Sequence, residues 1–454
     1  MDRRTEGVRV LTGEPEKAVV RLSIPIMISN LVFTLYNFAD GVWVAGLGAE
    51  SLSAIGLFMP LFFMFVSLSL GLGIGTSSAI ARKIGAGDKR GADNVATHSL
   101  VIAAMLSIVI LSTYFRLEQI LALLGASGKV LEEALTYGRI VVAGSMFIVF
   151  NNVAVGILNG EGNTKRSMYA NVAGSLLNIA LDPVLIYVAG LGIAGAAYAS
   201  VLSMVFSSLL IVYWMFYNSK TYVRVSFREF SPSRQIVFDI LRVGLPSAFS
   251  MLTMSFSLIF INAMIVRVSS ADGIAVFTSA WRVVHFGFIP MFGLSGAGTA
   301  VMGAAFGARN IEKLERAYRY AIKVAVIIEA VLVVLFISLA GYLAMFFTYS
   351  EASARIYGML VETLRILPVF LVFAPLGILT VSLFQGIGRG ENAFAITVLR
   401  TIVFQLSFAY IFAFLLGLGF DGIVYGVVLG NILASSVAFL WGRSVIGKLK
   451  RECC

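Results

Sequence analysis

Residues 22–49 carry a single charge, Asp40, in an otherwise uncharged and largely apolar run. As a helix these 28 residues reach about 42 Å, more than the roughly 30 Å hydrocarbon core of a bilayer. A helix with no polar face has nothing to present to water, so this stretch directs the chain into a membrane. Apolar runs of similar length recur to the end of the chain; 59% of its 454 residues are hydrophobic and 13% charged, against about 25% charged in soluble domains. Runs of this length make spans that close their backbone hydrogen bonds as helices. The first fifteen residues are polar and the first apolar run far exceeds a signal-peptide core, so no cleaved leader is expected.

Twelve spans are predicted. Six fall near 18–47, 53–83, 95–115, 131–158, 166–189 and 193–217, and six near 236–268, 273–305, 318–341, 356–386, 393–417 and 421–446. The longest polar connection, 219–234, separates an N-terminal lobe (1–218) from a C-terminal lobe (235–454). Of the 34 Lys and Arg residues, 26 fall in the segments on one side of this arrangement and six on the other. That bias places both termini in the cytoplasm of a multi-pass plasma-membrane protein. The net charge of +10 therefore reflects orientation, and no nucleic-acid partner is expected. The only cysteines, Cys453 and Cys454, end the chain, which leaves no disulfide framework or Cys-based metal site within the fold.

The two lobes read as a duplication. Arg21-Leu-Ser-Ile-Pro25 returns as Arg242-Val-Gly-Leu-Pro246, Ile84-Gly-Ala as Phe306-Gly-Ala, and Gly160-Glu-Gly162 as Gly386-Ile-Gly388. Leu191-Gly-Ile-Ala-Gly-Ala-Ala-Tyr198 returns as Leu418-Gly-Phe-Asp-Gly-Ile-Val-Tyr425, and the four offsets run only from 221 to 227. Six spans per copy make both copies enter the membrane in the same sense. The copies are thus related by a pseudo-twofold along the membrane normal, the build of alternating access. A static channel has no need of it.

The carboxylates break the symmetry. Asp40 projects onto Ile261 or Asn262 in the second copy, and Asp182 onto Phe408 or Ala409. A carboxylate in hydrocarbon costs at least about 2.5–3.5 kcal/mol, which marks both aspartates for function. Tyr36 and Asn37 share the face of Asp40; Asn178 lies one turn before Asp182, and Pro183 frees the carbonyl of Ile179. Asp40 sits about 28 Å along its helix from Arg21, and Asp182 about 24 Å from Arg166, so the two share a depth. Ser200 reaches the same level from span six. Two carboxylates with neutral oxygens suit Na⁺, while a close carboxylate pair also holds a proton. The neutral oxygens tilt the expectation toward Na⁺ and leave both ions open.

Other signals are weaker. Gly71-Leu-Gly-Ile-Gly75 lies inside a span and reads as helix packing rather than a phosphate loop. No Walker loop is present, so no nucleotide-driven pump or other enzyme is expected. His98 is placed at the membrane interface, and Arg282, Arg400 and Glu329 are each expected to pair with a neighbour inside the membrane. His285, one turn from Arg282, faces the cleft on this reading. Sixteen Met and 35 Phe offer adaptable apolar walls.

The segments LYNFADGVWVAGLGAESLSAIGL, IARKIGAGDKRGADN and LLNIALDPVLIYVAGLGIAGAAYAS resemble the multidrug and toxic compound extrusion (MATE) family, in its archaeal, DinF-like branch. The resemblance implies an all-α membrane protein of twelve helices in two six-helix lobes. It implies a monomeric antiporter that exports bulky, cationic, amphipathic molecules against entering Na⁺ or H⁺, with no bound cofactor. The family's cation site carries over onto Asp40, Asn178, Asp182 and Ser200, with Tyr36 in the same network. Substrate contacts are expected at Asp40, Asn37, Asn152, Asn178, Asp182, Met251, Arg282 and His285. One departure stands out: relatives can have Asn in span four where this chain reads Ala154-Val155-Gly156, with Asn151 and Asn152 about a turn earlier. A flippase of a lipid or lipid-linked precursor shares the general plan but calls for more cations in its cleft than Arg282 and Arg400 supply.

Overall fold

The computed structural model describes residues 5–218, 221–228, 230–269, 271–349 and 351–453, and among them no strand occurs. Ten helices are long and apolar enough to cross a membrane, and two bent pairs complete twelve spans. In the first half the spans are Pro15–Ala45, Ala49–Gly85, Lys89–Ser112, the pair Gly128–Ala143 and Ser145–Gly160, Thr164–Pro183, and Gly192–Val212. In the second they are Arg234–Val268, Ala271–Gly307, Ile311–Ser338, the pair Tyr357–Val372 and Ala374–Gly386, a span opening at Gly390–Val398, and Gly419–Cys453.

Two spans expected as single helices are broken. Span four bends by 47° at Gly144, where a side chain would run into Val201 of span six. Span ten bends by 40° after a tight turn, Leu367–Val372, that holds Pro368, and Pro375 follows in the next helix. Spans three and nine begin several residues earlier than hydropathy suggests, because polar caps extend them past the apolar core. Asp88 accepts the Gly91 N–H at 2.8 Å and Asn310, its counterpart 222 positions on, accepts the Lys313 N–H at 2.8 Å.

The halves meet where span two crosses spans seven and eight, and span eight crosses spans one and two. These crossings are built twice from equivalent residues. A Cβ on Gly71 would strike the Gly244 carbonyl and Ala248, and one on Gly293 would strike the Ser23 carbonyl and Met27. Gly85 lies against the Ala304 carbonyl, and Gly307 against the Arg82 carbonyl. Every member of the first contact becomes the corresponding member of the second on adding 221 or 222 for one half and subtracting it for the other. Lipid offers no hydrophobic gain for helix association, so close backbone approach of this kind supplies the packing energy. Gly71 and its neighbours therefore pack helices, as the sequence suggested.

Side chains tie the same end of the bundle. Arg82 donates to Ser78 Oγ at 2.6 Å and to the Gly386 carbonyl at 3.4 Å, while Ser78 donates to the Gln385 carbonyl. Gln385 in turn donates to Ser247 Oγ at 3.1 Å. Both ends of the chain lie here: Arg316 pairs with Glu16 at 2.8 Å, and Lys450 with Glu315 at 2.5 Å. We refer to this as the basic end.

Leucine at Gly85 or at Gly307 should overpack the crossing and lower stability by about 1–3 kcal/mol, to a similar extent for the two equivalent sites. Gly56, where a methyl group would meet nothing within 4 Å, should accept Ala with no loss. Thermal unfolding of the purified protein in detergent reads both outcomes.

Candidate cation site

Span five supplies the buried half of the site. Asp182 is fully buried and Asn178 nearly so, while Ser200 of span six is 9% exposed. After Pro183 the helix widens into a looser turn, Val184–Val188. That turn aims Tyr187 at span one, where its hydroxyl donates to the Trp43 carbonyl at 2.5 Å. The proline thus does more than free a carbonyl: it brings span five against the segment that carries Asp40, one turn before Trp43.

There the Asp40 and Asp182 carboxyls come within interacting distance of each other, and Tyr36 reaches Ser200. Asp40 is partly accessible and Asp182 closed off behind it, so an ion arriving from the cleft meets Asp40 first. One oxygen of Asp182, Oδ1, has no hydrogen-bond partner. A buried carboxylate oxygen left in that state fits a proton or a cation.

The Asn178 amide has two arrangements with different chemistry. With both of its atoms satisfied, it donates to Asp182 Oδ2 at 2.9 Å and accepts the Ser200 N–H at 3.1 Å. Turned over, it sets its nitrogen 3.5 Å from Ser200 Oγ and its oxygen toward Asp182. The first suits a bare carboxylate and the second a cation held between two oxygens. Tyr137, on the first limb of span four, is buried and lies within electrostatic reach of Tyr36, Asp40 and Asp182. Sequence reasoning looked for the span-four contribution near Val155 and missed this tyrosine. Among the described residues no cluster of three or more His, Cys, Asp or Glu could hold a resident metal.

The remaining candidates are dispersed. Asn37 is exposed and donates to its own helix at Phe33 (2.7 Å), and Asn152 does the same at Ile148 (3.1 Å). Asn151 donates to Ser207 of span six at 2.7 Å. Met251 is half-buried on span seven, and Arg282 and His285 are exposed on span eight. Several expectations are corrected here. Arg282 and Arg400 form no ion pair among the described residues. Glu329 is fully buried beside Gly287 with neither carboxyl oxygen partnered. His98, expected at the membrane interface, is buried in the protein near the start of span three and fixes the connection between the halves.

That connection is sewn onto the first half. His98 donates to the Asn94 carbonyl at 2.8 Å and accepts the Ser233 N–H at 3.0 Å, which assigns its tautomer. Asp93 accepts the Arg224 N–H at 2.7 Å. Glu161, fully buried, accepts the Tyr222 and Val223 N–H groups at 2.8 Å each. The repeat comparison contained the signal for it: Glu161 is replaced by Ile387 in the second copy, the same one-sidedness as Asp40 and Asp182.

Twelve spans in two equivalent halves, with a carboxylate pair inside the membrane in one of them, define a secondary transporter. The MatE family profile matches residues 25–184 and again 246–411, once in each half, and the chain belongs to that family of transporters. It is 52% identical to an outward-facing multidrug resistance MATE family transporter of the MOP superfamily, covering 99% of this chain and 100% of that one with a TM-score of 0.97. A MOP superfamily transporter from Pyrococcus furiosus is also 52% identical over 99% of this chain and 100% of its own, with a TM-score of 0.95. The multidrug export protein MepA of Staphylococcus saprophyticus is 26% identical over 426 residues, 93% of this chain and 92% of that protein.

Burial raises the Glu161 carboxyl from its ordinary 4.5 to about 7, against the bonds from Val223, Asn163 and Tyr222 and the charge of Arg166 that lower it. A carboxyl raised in this way favours the docked connection most below about pH 4.5 and loses that advantage as pH rises through about 7. Protection of the Tyr222 and Val223 amides from hydrogen exchange, corrected for intrinsic rates, should therefore fall over this window and level off above it. Glu161→Gln should flatten the profile.

Proposed function

We propose that this protein is a cation-coupled multidrug efflux antiporter of the archaeal, DinF-like branch of the family. It works as a monomer on bulky cationic amphipathic molecules, with both termini in the cytoplasm. The single observation that carries the coupling is the Asp40–Asp182 pair, present in one half, with Asp182 buried behind Asp40, and absent from the equivalent place in the other. The excess of Lys and Arg on the connections at the basic end supports the orientation. The 52% identity to the Pyrococcus furiosus transporter supports the branch.

In this mechanism an entering Na⁺ or H⁺ first meets Asp40 and passes to Asp182. Occupancy removes the repulsion between the carboxylates and lets span one settle differently on span five, through the Tyr187–Trp43 contact. A cationic drug competes for the same negative charge, so drug and coupling ion exclude each other, and this exclusion is reciprocal in free energy. The two six-helix halves act as the lobes, hinged at the connection that Glu161 and His98 hold. Asn178 serves either ion: as a donor it orients Asp182, and as an acceptor it completes the oxygens that Na⁺ needs. The flippase reading is not favoured, because the only cations offered to the cleft from the middle of the spans are Arg282 and Arg400.

Asp40→Asn and Asp182→Asn should each abolish gradient-driven efflux in proteoliposomes, reducing a coupling factor of about 5–150 toward one, while the protein still folds and inserts. Unchanged efflux in either variant at normal reconstitution would refute the role. Imposing Na⁺ and H⁺ gradients separately assigns the ion. Asn178→Ala should impair a Na⁺-driven exchange almost as much as Asp40→Asn does; efflux left intact and driven by pH alone would identify the proton.

A further inference from the structure

At the basic end a cavity of about 550 Å³ opens between the N-terminal helix Glu6–Thr12 and the first turns of spans one and five. None of the roles above uses it. Arg21 faces it from span one, and Lys165 and Arg166 from span five. The one acid among the described residues of its wall, Glu6, holds Lys165 loosely at 3.8 Å, with both side chains mostly exposed. Arg21 makes no ion pair among the described residues.

The floor adds to the positive field. Span five starts without a side-chain cap, and the Asn163 amide nitrogen donates to Glu161 at 3.1 Å. The first N–H groups of that helix therefore lack a side-chain acceptor, at the positive end of its dipole. The rim is apolar: Ile24 is 49% and Tyr169 54% exposed. An anion dissolved in water has no use for such a rim, whereas tyrosine beside cations is the usual composition of a membrane–water interface.

We propose that this cavity binds the phosphate headgroup of an anionic membrane lipid, with the acyl chains lying along Ile24 and Tyr169. Arg21 and Lys165 come from the two spans that carry Asp40 and Asp182. A headgroup between them ties the ends of those spans together at the basic end.

The test is native mass spectrometry of the purified full-length protein, with short-chain phosphatidylglycerol, phosphatidylcholine and inorganic phosphate as separate probes. Phosphatidylglycerol should bind and phosphatidylcholine should not. The double variant Arg21→Gln/Lys165→Gln should bind phosphatidylglycerol about thirtyfold more weakly, at about fivefold per cation removed. Arg443→Gln, in a different cavity of the basic end, should bind as before. The charge-conserving pair Arg21→Lys/Lys165→Arg should keep the affinity, which separates loss of charge from loss of fold. Equal binding of the two lipids, or undiminished binding by the double Gln variant, would overturn the proposal. Displacement of phosphatidylglycerol by equimolar inorganic phosphate would make this a site for free anions and overturn the assignment to lipid.

Discussion

Backbone-to-backbone contact between helices that carry no side chain at the point of crossing is the interaction on which the rest of this structure depends. Inside lipid, apolar surface gains nothing by leaving the solvent, so helices hold together only where atoms come close enough for dispersion. Gly85 against Ala304 and Gly307 against Arg82 provide this at the basic end, and Gly71 against Gly244 and Gly293 against Ser23 provide it deeper in the bundle. Because each contact has its equivalent in the other half, the crossings form a symmetric zone of contact between the halves. Arg82 and Ser78 then fasten it with hydrogen bonds to the carbonyls of Gly386 and Gln385. These bonds join groups that would otherwise be unsatisfied away from water.

On that symmetric frame the chemistry is one-sided. Asp40, Asp182 and Glu161 all belong to the first copy, where the second has apolar residues or an amide. The connection between the halves also belongs to the first copy, because its N–H groups are spent on Glu161, Asp93, Thr97 and His98. The first half therefore holds both the carboxylate pair and the strap to the second half. The second half contributes walls and, among the described residues, one fully buried unpartnered acid, Glu329, that the proposed mechanism leaves unused.

Much of this was legible in the residues. The repeat matched Ile84-Gly-Ala to Phe306-Gly-Ala and so paired Gly85 with Gly307, and the isolation of Asp40 and Asp182 in uncharged spans marked the site. Local signals failed where the outcome depended on a neighbour. At the bend of span four, Val201 occupies the space a side chain on Gly144 would need, and no pattern within span four contains Val201. Unpaired charge in lipid is costly, so a partner is expected for Arg282 and Arg400, but Arg282 is exposed and Arg400 half-buried, an outcome that depends on how neighbouring helices pack. Tyr137 escaped notice since a lone tyrosine on an apolar helix face carries no periodic signal.

By itself the sequence determined that this is a twelve-span, duplicated membrane protein with its carboxylates in one copy, because hydropathy, charge bias and repeats are properties of the chain in order. Tertiary structure alone decided how those parts act on one another. It brought Asp40 to Asp182 through the turn after Pro183 and set the Asn178 amide between Asp182 and Ser200. It also closed the connection over Glu161. Each of these rests on contacts between residues far apart in the chain, whose meeting depends on where the intervening helices cross.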